Sequence, residues 1–83
     1  MQHSPVSDLK KFIGINDKFA FINELFEGNL SSYNEAIERL NQSKDLNDAL
    51  DYFEKALHQK YSWNSENATT QHLRNLVERR FMN

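Results

Sequence analysis

A chain of 83 residues holds one domain at most, near the lower end of what folds without staples. It has no cysteine, which excludes both a disulfide framework and a thiolate metal site as sources of stability. A formal charge of −2 opposes sequence-independent nucleic-acid binding, which needs a net basic surface, while the absence of cysteine fits a reducing, cytoplasmic compartment. The 39% hydrophobic content is gathered into periodic segments, so the chain is expected to fold.

No apolar run approaches the roughly 18 residues that span a bilayer, and "MQHSPVSDLKK" lacks the order of a signal peptide. Without such a signal the three sequons at Asn29, Asn41 and Asn67 carry no weight. Residues 1–6 read as a flexible lead-in and residues 7–83 as a single helical domain. A helical turn or two follows, capped by Ser7 or Asp8 and ended by Gly14.

"INDKFAFINELFEG" is the densest apolar segment. Asn16 or Asp17 is the expected cap, and Gly28 stands where a left-handed residue closes a helix. Phe21, Leu25, Ile22, Phe26 and Phe19 spread over an arc of roughly 160°, wider than a single surface stripe. Such an arc suits a central helix. Phe19, Ile22 and Phe26 are expected to face inward, leaving Phe21 and Leu25 at the edge as the place where a docking surface would show.

Ser32-x-x-Glu35 forms a capping box ahead of Tyr33, Ala36, Ile37 and Leu40, which fall at i, i+3, i+4 and i+7. The third helix carries the stripe Leu46, Ala49, Leu50, Phe53, Ala56, Leu57 and Tyr61, with Asp45 as cap. Asn64 or Ser65 starts the last helix, which bears Leu73, Leu76, Val77 and Phe81, and Trp63 ahead of it can pack back as a staple. No strand-like alternation appears. The fold class is all-α, a compact bundle of four principal helices with a short leading turn.

"DLKKFIGINDKFAFINELFEGN", "ALDYFEKALHQKYSWN" and "LVERRF" resemble a helical domain at the carboxyl end of uncharacterised Bacteroidetes proteins, a family of unknown function. The most specific piece is Asn16 to Phe19 followed by Glu24-Leu25-Phe26 and Gly28, and the likeness runs from about Asp8 to Phe81. In that family the domain often follows a variable, sometimes membrane-anchored, amino-terminal segment; with little of it here, the chain is expected to be a short or trimmed member. The resemblance implies a compact helical domain and no activity.

Catalysis lacks a motif. No serine lies in a Gly-x-Ser-x-Gly elbow, no histidine pair shares i, i+4 spacing, and no glycine-rich phosphate loop is present. A spatial His58–His72 metal site is the weak exception, so no enzyme activity, cofactor or metal is expected. The helix–glycine–helix outline of "FINELFEGNLSSYNEAIERL" suggests helix-turn-helix, but Glu35 and Glu38 outweigh Arg39 on the second helix. Nucleic-acid contact would therefore fall to Arg74, Arg79 and Arg80. The leading expectation is a non-catalytic interaction or accessory module, binding another protein or a second copy through Phe21, Leu25, Tyr52 and Trp63.

Overall fold

The computed structural model describes residues 8–82, so the expected lead-in and the Ser7 cap lie outside it. The Asp8 carboxylate accepts from the Lys10 amide (3.0 Å) and starts a 3₁₀ turn, Leu9–Phe12, whose Leu9 is fully buried. Helix α1, Ile15–Leu25, begins from Gly14 with no side-chain cap. The expected Asn16 or Asp17 cap is corrected, because the Gly14 carbonyl already takes the Lys18 amide (2.9 Å) and places Asp17 inside the first turn. The helix ends at Leu25, earlier than Gly28 suggests: Phe26 is the C-cap, Glu27 (φ 58°) takes the left-handed position after it in place of Gly28, and Gly28 (φ 79°) follows with its amide reaching back to the Ile22 carbonyl (2.8 Å).

Helix α2, Leu30–Asn41, is capped by Asn29, which accepts from the Ser32 amide (3.0 Å). Ser32 is thus inside the helix, not at its cap. The turn through Gly28 leaves Asn29 extended, and asparagine is a strong capping residue in that conformation.

Helix α3 covers residues 46–61 in three pieces: an α-segment Leu46–Tyr52, a π-helical turn Phe53–His58 and a last α-turn Gln59–Tyr61. Asp45 caps it, accepting from the Asp48 amide (2.8 Å). Ala49, Phe53 and Leu57 of the expected stripe are buried, but Ala56 is exposed. The π-turn takes one extra residue, which turns everything after it back by about 100° relative to a straight helix. That rotation carries Ala56 outward and brings Tyr61 back toward the core.

Ser62 (φ 55°) closes α3. Asn64 makes a local turn, accepting from the Glu66 amide (2.9 Å), while Asn67 caps α4, Ala68–Met82, by accepting from Thr69 (2.8 Å) and Thr70 (3.3 Å). The helix therefore starts later than the expected Asn64 or Ser65.

Helix α4 lies across both α1 and α3 and contributes Leu73, Leu76 and Val77 to the core. The core holds an aromatic group in which Phe26 meets Tyr33, Tyr61 and Trp63 edge to face at 5.9, 5.3 and 5.4 Å. Trp63, expected as a staple of the last helix, packs against Phe26, Phe53 and Tyr61. Its indole N–H donates to the Leu25 carbonyl (2.7 Å), satisfying an acceptor that the end of α1 leaves open. The all-α bundle of four helices with a 3₁₀ turn is therefore observed.

Candidate functional site

Of the residues expected to dock a partner, three are buried. Phe21 is 1% and Leu25 3% exposed, and Trp63 is core. For the α1 residues the cause lies on the side facing α4, where His72 bonds Asp17 (2.9 Å) and its ring lies 5.7 Å from that of Phe21. Thr69 also donates to Glu24 (2.6 Å), so α4 seals that edge of the arc.

The opposite edge is the open one. Phe19, expected inside, is 56% exposed, and Ile15 is 63% exposed. The other five phenylalanines are buried or half-buried. Ile15, Lys18, Phe19 and Ile22 are spaced i, i+3, i+4 and i+7 and share one face of α1. On α2 the same spacing joins Leu30, which is 50% exposed, to Tyr33, Asn34 and Ile37.

Between these faces lies a groove of about 240 Å³ lined by Lys10, Ile13, Lys18, Tyr33, Asn34 and Ile37. Its floor is apolar, and burial pushes the Tyr33 phenol above its ordinary pKa. Lys10 donates to Glu38 (2.9 Å), whose carboxylate raises the Lys10 ammonium pKa. Lys18 has no carboxylate partner among the described residues. The arrangement can accept apolar side chains and a negative charge, and it holds no nucleophile with a base.

Tyr52 is half-buried and lines a second hollow of about 150 Å³ with Glu35, Lys60 and Tyr61. The Arg39 guanidinium lies 4.9 Å from its ring; burial raises the Tyr52 pKa and Arg39 partly opposes the rise. The three arginines are engaged within the domain. Arg74 pairs with Glu54 (3.0 Å) and Glu78 (3.4 Å), Arg79 stacks over Phe12 at 5.2 Å, and Arg80 donates to the Asn41 side chain (3.0 Å) and carbonyl (2.8 Å).

His72 is taken by Asp17, and the described residues contain no group of three or more His, Asp or Glu able to hold a metal. No helix among them is long and apolar enough to cross a membrane.

Residues 10–82 match a family described as a domain of unknown function (DUF8457). The chain belongs to this family. No curated protein and no solved structure matches it. This DUF8457 domain spans the leading turn through α4, so both walls of the groove lie inside it.

Sequence reasoning missed Ile15, Lys18 and Leu30 as surface features. The signal available was the width of the α1 arc, which has two ends. Which end α4 covers depends on long-range contacts such as Asp17–His72, and nothing local in "INDKFAFINELFEG" encodes it.

Proposed function

We propose that this domain is a non-catalytic docking module that binds protein through the α1–α2 groove and its apolar rim. The observation that carries this reading is the outward-facing pair Ile15 and Phe19 on the same helix face as groove residue Lys18. A phenylalanine more than half exposed in a thin-cored domain leaves apolar surface that a partner would remove from water. Internal engagement of Arg74, Arg79 and Arg80 favours a protein over a nucleic acid. The resemblance to carboxyl-terminal domains of uncharacterised Bacteroidetes proteins agrees with an accessory role in a bacterial setting.

The test is a photo-crosslinking residue at position 19, with exposed Asn75 on α4 as control, in the native host. Discrete adducts at 19, absent at 75 and abolished by Ile15→Asp, are expected. Equal labelling at both positions, or none at 19, refutes the reading. Phe19→Asp should change stability by no more than about 0.5 kcal/mol, whereas Phe21→Asp should exceed about 4 kcal/mol by burying an unpaired charge; urea denaturation followed by circular dichroism separates them.

A further inference from the structure

We infer that the occupant of the α1–α2 groove is an apolar protein segment carrying acidic residues, a step that rests on the docking reading above. The groove lining contains two lysines and no carboxylate, although the chain as a whole carries −2. Its charge therefore opposes the sign of the molecule that carries it. Lys10 is held by Glu38 on α2, but Lys18 stands beside the apolar floor without an acidic partner among the described residues. An incoming carboxylate would find that ammonium at the edge of a low-dielectric surface, where a pair is stronger than in open water.

The apolar part of the occupant follows from the walls. Ile13, Tyr33 and Ile37 line the floor side, while Ile15, Phe19 and Leu30 stand exposed on the faces that bound it. A volume of about 240 Å³ has room for a large side chain or two, and its concavity suits an inserted segment better than a flat lipid surface. A second copy of this chain fits poorly. A two-fold contact through this face would set the same patch against itself and offer Lys18 no carboxylate from the groove lining.

The experiment titrates the isotope-labelled domain with three probes: an amphipathic leucine–glutamate peptide, a leucine–lysine peptide of the same pattern, and phosphatidylglycerol vesicles. The expected result is that the glutamate peptide moves the amide resonances of Lys18, Phe19, Tyr33 and Asn34. Lys18→Glu should weaken that binding about tenfold and transfer preference to the lysine peptide. The amide spectrum itself reports that the variant is folded.

Equal binding of both peptides at these residues overturns the acidic occupant and leaves the docking reading standing. So does concentration-dependent movement of the same resonances without peptide, which would identify a second copy as the occupant. Failure of every peptide at the groove, or response to vesicles alone, overturns both.

Discussion

Asp48 accepts from the Lys44 backbone amide (3.2 Å) and from Arg39 (3.4 Å), and the amide bond first, with the guanidinium second, holds its carboxyl below the usual carboxylate range. Because the folded value is the lower one, the unfolded chain takes up the proton first as the pH falls. The stabilisation is present above the unfolded value of about 4 and is lost as the pH drops through the folded value. Asp48→Asn, which keeps an acceptor for the Lys44 amide, should flatten the decline of the urea midpoint below about pH 4; parallel wild-type and variant curves would refute this. A local motif of this kind is legible, since Asp45 reads as a cap from sequence and Asp48 follows it in the first turn. Phe19 and Phe21 are different. The two phenylalanines lie at opposite ends of one arc, and their fates were decided by α4, more than forty residues away in sequence.

Within α3, a repeating stripe predicts a straight helix, and the π-turn Phe53–His58 departs from it. A straight α-helix would carry Tyr61 toward the edge of the stripe; the extra residue turns it back until its ring stacks on Trp63 at 5.8 Å. Deleting exposed Ala56 should let the turn relax to regular α-helix with Tyr61 and Trp63 in place, unchanged tryptophan emission and slower amide exchange across 53–58. Inserting one alanine beside it should turn the following residues by about a further 100° and expose Trp63, seen as a red-shifted emission. Should the deletion red-shift the emission and the insertion leave it alone, the register argument fails. Helix number and type were legible because amphipathic periodicity is local. Caps were less so: Asn29, Asn67 and Gly14 displaced Ser32, Asn64 and Asn16 because several capping residues stand in a row and tertiary packing chooses among them.

Across the whole molecule, one half-buried side chain ties the leading turn to the last helix. The Asn41 side-chain oxygen accepts from the Leu9 amide (2.7 Å) and from Arg80 (3.0 Å), its amide donates to Asp8 (3.2 Å), and its backbone carbonyl takes a second Arg80 bond (2.8 Å). Three elements distant in sequence thus meet at the carboxyl end of α2, where orphan carbonyls and a guanidinium suit one another. No pattern in the sequence marks Asn41 for this role, since a polar residue at a helix end is ordinary until its neighbours are known. The leading turn supplies Lys10 and Ile13 to the groove, so this tie also holds one wall of the candidate site. Arg80→Ala should therefore act locally. It removes two donors to Asn41 yet leaves the buried residues Leu73, Leu76 and Val77 untouched, for a loss of about 1.5–3 kcal/mol. Amide exchange should quicken at Leu9 and at Lys10–Ile13, and the resonances of groove residues Tyr33 and Asn34 should shift. Trp63 emission and exchange in α3 should stay as they are. Uniform quickening across every helix would mean that Arg80 supports the fold as a whole, and that the groove wall is held by core packing of Leu9 instead.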